Sequence, residues 1–132
     1  MLAGGAISWG SKKQSAIALS SMEAEYIAAA HAAKEVVWLR QLLFKLKQRN
    51  EGPTILNMDN QSTIAIAQNL EFNDRSKHIE IRHHFLRQKV EEEELDLAYI
   101  PTGDQVADVL TKRIVCEKHK HFLKKIKVCC VD

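Results

Sequence analysis

Residues 20–43 read SSMEAEYIAAAHAAKEVVWLRQLL, and the fold turns on how this stretch is read. Ser20 suits a helix N-cap, and Glu23, three residues on, completes a capping box. Alanine, the strongest intrinsic helix former, fills much of the run from Ala24 to Ala33. Ile27, Ala30, Val37 and Leu46 recur near helical spacing, as do Tyr26, Ala33 and Leu43. The pattern predicts one long helix over 21–48, stopped by Asn50, Gly52 and Pro53.

Working outward toward the N-terminus, Ala6–Trp9 alternates small and large side chains after Gly4-Gly5 and reads as a short strand. Gly10–Gln14 is a polar turn, and Ser15–Leu19 a second extended piece. In the other direction, Ile55–Met58 is a short apolar run, read as a buried strand. Gln61–Asn69 looks helical, Asn69–Lys77 is polar and irregular, and Ile79–Glu93 reads as another helix. Leu95–Ile100 alternates as a strand until Pro101 stops it. Thr102 with Gln105 suggests a second capping box, opening a helix through Lys112. Strands alternating with helices imply an α/β layered domain, placed at 1–113, with a basic, partly amphipathic helix or tail at 114–132. Phe122, Leu123 and Ile126 are that tail's expected packing contacts.

Composition narrows the function classes. The chain has 132 residues, 45% hydrophobic and 27% charged, which suits one ordinary core. Its net charge of +2 is too small to argue for nucleic acid by itself. No run approaches the ~18–20 apolar residues of a membrane span, and no basic segment precedes an apolar one at the N-terminus. Neither a membrane partner nor a targeting signal is therefore expected. Three cysteines, Cys116, Cys129 and Cys130, make a poor disulfide framework, so an intracellular compartment, cytoplasm or nucleus, is the simpler expectation.

Three carboxylates sit where acids are unusual. Glu25 shares a helical face with Met22, Ala29, Ala32 and Val36, and a carboxylate among small apolar neighbours is costly unless a cation meets it. Glu23 already has a structural task in the capping box. Asp59 ends an apolar strand, where ligands of α/β sheets bind; it is equally placed to cap the next helix, and both readings stand. Asp108 lies one turn inside a predicted helix, past any capping position, and competes with the reading of a plain exposed aspartate. Together they offer oxygen ligands suited to Mg²⁺ or Mn²⁺, and acids holding two such ions are a known solution to phosphodiester hydrolysis.

Four segments in order then carry a resemblance: residues 20–43, MDNQSTIAIAQN from Met58, RSKHIEIRHHFLRQKV from Arg75 and YIPTGDQVADVLTK from Tyr99. Over residues 4 to about 113, and more loosely 117–127, the chain resembles the ribonuclease H domains of copia-type retrotransposon polyproteins. The resemblance implies a ribonuclease H-like mixed sheet flanked by helices. It also implies cleavage of the RNA strand of an RNA–DNA hybrid, two Mg²⁺ ions, and an acidic tetrad in which Glu25, Asp59 and Asp108 take the last three places. Glu25-Tyr26-Ile27-Ala28 matches the family's Glu-Leu-x-Ala pattern, favouring Glu25 over Glu23. The upstream reverse transcriptase region of the polyprotein becomes an expected partner.

The sequence also departs from the family. No residue before Glu23 is acidic, so the leading Asp of the tetrad has no counterpart, and the first one or two strands are expected to be missing. Metal binding should then be weak or absent, hybrid cleavage undetectable, and an exposed strand edge open to self-association. Thr102-Gly103-Asp104 lacks the loop histidine of related cellular enzymes, and the tail from Val128 matches nothing. The competing reading is a non-catalytic retroelement remnant that binds nucleic acid or protein.

Basic side chains divide similarly. Arg75, Lys77, His78, Arg82 and Arg87 are candidate phosphate contacts, or else a solvated helix face balanced by Glu80 and Glu91–Glu94; Lys12 and Lys13 offer the same choice. His83-His84 point about 100° apart on a helix and suit packing or surface roles better than shared ligation. Cys116, His119 and His121 form only a partial zinc set, and Trp9 and Trp38 are expected in the core.

Overall fold

The computed structural model describes residues 6–15, 17–48, 52–68 and 80–127 (80–83 by backbone alone). The chain forms two compact units, 16–101 and 1–15 with 102–132, and each is taken by itself.

In the first, the predicted long helix is α1, Ser21–Lys45. Its start follows from local chemistry: the Glu23 amide donates to Ser20 Oγ at 3.1 Å, and the Leu19 amide donates to Glu23 Oε2 at 2.7 Å. The reciprocal bond of the box thus falls one residue earlier than the usual N-cap amide. Its end is a Schellman motif, with the Gln48 amide on the Leu43 carbonyl at 2.9 Å and the Lys47 amide on that of Phe44 at 3.0 Å. Lys47 holds the left-handed position at φ 57°, where glycine is usual.

Arg40 then bridges back to the incoming chain, donating to the Gly52 carbonyl and to Thr54 Oγ1, both at 3.0 Å. The next strand is β1, Thr54–Met58, followed by α2, Gln61–Gln68, α3, Glu80–Glu91, and β2, Leu95–Tyr99. β1 and β2 pair in parallel, Thr54 opposite Leu95 through Met58 opposite Tyr99. Parallel neighbours need a crossover, which the α2 and α3 segments provide. The expected α/β class is therefore seen, with a two-stranded parallel sheet among the described residues.

The core joins small and large apolar side chains from each element: Tyr26, Ala29 and Ala33 of α1, Met58, Ile64 and Ala67, Leu86, and Leu95 and Leu97. Three buried alanines, Ala29, Ala30 and Ala33, leave room for close backbone approach on α1. Leu95 and Leu97 point inward while Asp96 between them is exposed, the period of two expected of a strand with one covered face. The fully buried strand expected at Ile55–Met58 is corrected: Met58 is buried but Ile55 is 62% exposed. A parallel sheet is normally covered on both faces, and here Ile55 and Tyr99 remain open. Trp38, expected in the core, is 54% exposed on α1.

In the second unit, residues 6–14 have no regular secondary structure, so the strand expected at Ala6–Trp9 is absent, and Trp9 is 72% exposed. The described part of Ser15–Leu19 carries no strand either, with Ile17 and Leu19 exposed. Alternation supplies side-chain pattern but no hydrogen-bond partner, and a strand requires both. Thr102–Lys112 is not one helix but two 3₁₀ segments, Thr102–Asp104 and Val106–Leu110. Gln105 between them is extended at ψ 102°, its side chain caps nothing, and the Asp108 amide reaches back three residues to the Gln105 carbonyl at 3.2 Å. Gly103, Val106 and Val109 weaken the α-helical preference there. Helix α4, Cys116–Lys125, follows; Phe122 is buried, with Leu123 and Ile126 half-buried. No helix among the described residues is long and apolar enough to cross a membrane.

Candidate functional site

Glu25 lies in the second turn of α1 and is half-buried. Its same-face neighbours behave as their spacing predicts: Ala29 is buried, and Met22, Ala32 and Val36 are half-buried. Beside it, Tyr26 is a core residue, and burial pushes its phenol up to about 12 against the smaller opposing pull of the Arg87 guanidinium.

Asp59 follows Met58 directly, at the carboxyl end of β1, and is half-buried. The choice left open by sequence is narrowed here. The cap of α2 is Asn60: the Thr63 amide donates to Asn60 Oδ1 at 3.1 Å, and the Ile64 amide to the Asn60 carbonyl at 3.2 Å. The Asp59 carboxylate is thereby relieved of capping. The Ile100 amide donates to the Met58 carbonyl at 2.8 Å, fixing the strand end that presents Asp59.

A long-range contact ties these two elements. Thr63, completely buried, donates its hydroxyl to the Met22 carbonyl at 3.5 Å. Met22 is one turn before Glu25, and Thr63 sits in the helical turn that Asp59 leads into. Sequence reading passed over Thr63 and Asn60. The signal was present in Asp-Asn-Gln-Ser-Thr, where Asn followed three residues later by Thr is a capping spacing.

Asp108 belongs to the other unit, in the 3₁₀ segment Val106–Leu110. It is not the plain exposed aspartate of the alternative reading. Its side chain is 14% exposed, and Lys112 holds both oxygens, at 2.9 Å and 3.0 Å. The Lys112 side chain is half in solvent. Among the described residues, no group of three or more His, Cys, Asp and Glu side chains is placed to hold a metal ion. Glu25 and Asp59 share one unit.

The basic candidates fare unequally. Lys12 and Lys13 are exposed. Arg75, Lys77 and His78 lie outside the described residues, and of Arg82 only the backbone is described. Arg87 is turned inward, donating from Nη2 to the Ile66 carbonyl at 3.2 Å, with its Nε buried. It braces α2 against α3 and is corrected from a phosphate contact to a packing role. At the end of α3, Lys89 pairs with Glu92 at 2.6 Å and Glu94 at 3.3 Å.

The retrovirus-related Pol polyprotein of tobacco transposon TNT 1-94 is 43% identical to this chain over 109 residues, 83% of the chain. The Pol polyproteins of the Arabidopsis thaliana transposons RE1 and RE2 are 38% and 37% identical over 122 residues, 92% of the chain. The chain belongs to the copia-type transposon Pol polyproteins. It spans about 8% of the length of each of these relatives. No family model matches this Pol segment, and no solved structure does.

Proposed function

We propose that this Pol segment is a ribonuclease H region, built on a ribonuclease H-like fold, that hydrolyses the RNA strand of RNA–DNA hybrids with Mg²⁺ or Mn²⁺. One observation carries the reading: Asp59 ends β1 with its capping duty taken by Asn60, while Thr63 anchors the adjoining helix to the turn of α1 that precedes Glu25.

The donor chemistry fits the group. Glu25, Asp59 and Asp108 offer carboxylate oxygens alone, the preference of hard divalent cations over zinc or copper. When bound, such ions lower the pKa of an attacking water and offset charge on the leaving oxygen. The rest belongs to the protein. The capped start of α1 and the Thr63 bond hold the Glu25 turn, and the strand ladder holds Asp59. Both Asp108 oxygens are engaged by Lys112, which would have to withdraw for them to meet a cation.

The three carboxylates need a fourth, since residues 1–22 contain no Asp or Glu. Hybrid cleavage is therefore a property of these residues together with preceding polyprotein sequence. Supplied alone, the 132-residue chain should leave a labelled RNA–DNA hybrid uncut in Mg²⁺. Extended by the corresponding preceding segment of a copia-type polyprotein, it should cut, and Asp59→Asn should abolish cutting. Robust cleavage by the 132-residue chain alone, lost on Asp59→Asn, would refute the dependence on a fourth carboxylate. The engagement of both Asp108 oxygens by Lys112 favours a second reading, a nucleic-acid or protein binding module without catalysis. Failure of the extended chain to cut would select it.

A further inference from the structure

The unit made of residues 1–15 and 102–132 differs sharply in charge from the rest. Residues 6–15 and 102–127 hold nine Lys and Arg against three acids, whereas residues 16–101 hold ten against thirteen. The near-neutral net charge of the whole chain conceals this.

The excess gathers on α4. Phe122 faces the unit's interior, and the Lys118 and Lys125 ammonium groups lie 5.3 Å and 5.9 Å from its ring centroid. Lys120 and Lys124, exposed and one turn apart, make an outward basic stripe that Lys127 continues. Among the described residues neither Lys120 nor Lys124 has an acidic partner, in contrast to Lys89 on α3, which has two. Like charges at i,i+4 cost helix stability, so the stripe is not there to stabilise α4. The favourable field of a helix C-terminus accounts for Lys124 and Lys125 but not for Lys118 and Lys120, nor for Lys12 and Lys13.

A second observation lies in the same unit. The Ala6 amide donates to the Ile126 carbonyl at 3.3 Å, bringing the N-terminal segment to the end of α4. Three residues beyond Ala6, Trp9 presents an indole 72% exposed, and Lys12 and Lys13 follow in exposed positions. An exposed tryptophan in the same unit as exposed lysines on α4 and at positions 12 and 13 is the composition of a single-stranded nucleic acid surface, in which the cations track the backbone and the ring stacks on a base.

We propose that α4, through Lys120 and Lys124, and the segment carrying Trp9 bind single-stranded nucleic acid without sequence preference. This goes beyond the hydrolytic reading and does not depend on it, because it needs neither the carboxylates nor a metal. A membrane surface is the disfavoured occupant: α4 keeps its aromatic ring inside, and its exposed side chains are mainly charged or polar.

The test is fluorescence anisotropy of the full 132-residue chain with a labelled 20-nucleotide oligo(dT) in EDTA, across a range of salt. Binding should weaken as salt rises. K120Q/K124Q should lower affinity about tenfold and reduce the log–log salt slope by roughly 1.4, the release expected for two single-strand phosphate contacts. W9A should cost about tenfold with the slope unchanged, and W9F should recover most of it. Circular dichroism establishes that each variant is folded; both sites are exposed, and Lys120→Arg serves as a charge-conserving control that should bind as the parent does. Unchanged affinity in K120Q/K124Q and W9A overturns the proposal, as does binding to phosphatidylserine vesicles with none to the oligonucleotide. Since EDTA removes divalent ions, this outcome and the outcome of the cleavage assay are read independently.

Discussion

The Thr63 hydroxyl donates to the Met22 carbonyl at 3.5 Å, across 41 residues of sequence. Both groups lie beside a candidate metal ligand, Met22 one turn before Glu25 and Thr63 four residues after Asp59. The bond therefore does more than fill a buried polar position. It fixes the start of one carboxylate-bearing element to the helix that follows the other.

Replacing Thr63 with Val keeps the shape and removes the donor. The expected cost is about 1 kcal/mol, the net worth of one buried hydrogen bond, with the Met22 carbonyl left to find water. Urea unfolding of Thr63→Val and Thr63→Ser checks this: Ser should lie closer to the parent in the hydrogen-bond contribution, though it also loses a buried methyl.

Asp59 and Asn60 should separate cleanly. Asn60→Ala removes the cap of α2 and should cost about 1 kcal/mol in chemical denaturation. Asp59→Asn should change stability by less than about 0.5 kcal/mol, because among the described residues no hydrogen bond or ion pair of its carboxylate is seen. A larger loss for Asp59→Asn than for Asn60→Ala would return Asp59 to a structural role.

Neighbouring positions differing this much in role show where sequence stops being legible. Periodicity and capping chemistry located α1, β1, α2, α3 and β2 to within a few residues, because each is decided by its own side chains. The apolar segments 6–9 and 15–19 read equally well as strands, yet strand formation depends on a neighbouring backbone that no local pattern reveals. Trp9 and Trp38 were expected inside for their apolar bulk, but exposure is decided by what packs against them. Arg87 was indistinguishable from its surface neighbours until its reach to Ile66 was seen. Glu25 and Asp59 were legible from face and strand-end position; the pairing of Asp108 with Lys112 was available in the i,i+4 spacing and was passed over.

Tyr26 gives a pH signature. Its phenol ionises near 10 in the unfolded chain and at about 12 in the folded one, because burial disfavours the phenolate. Below pH 10 both states are protonated and the stabilising difference is complete; between 10 and 12 the unfolded chain ionises first and stability falls. The loss across that window is up to ~3 kcal/mol. Tyr26→Phe should show a correspondingly smaller decline between pH 10 and 12 when melting is followed by circular dichroism. Parallel profiles for parent and variant would contradict the buried phenol.

The end of α1 offers a stabilising change. Lys47 occupies the left-handed region at φ 57° without being glycine. Lys47→Gly relieves a backbone strain of about 1 kcal/mol, partly offset by the entropy glycine loses on folding, so a net gain of roughly 0.5 kcal/mol is expected. A raised melting temperature would bear this out; a lowered one would mean that the Lys47 side chain contributes more than its backbone costs.

The proposed role of Glu25, Asp59 and Asp108 as divalent-cation ligands can be read by NMR with Mn²⁺. On titration into the ¹⁵N-labelled chain extended by the preceding polyprotein segment, paramagnetic broadening should include the amides of Glu25, Asp59 and Asp108 and should be strongly reduced in Asp59→Asn. Broadening scattered over surface acids such as Glu91–Glu94, with the amides of Glu25 and Asp59 sharp and Asp59→Asn without effect, would exclude these carboxylates as metal ligands.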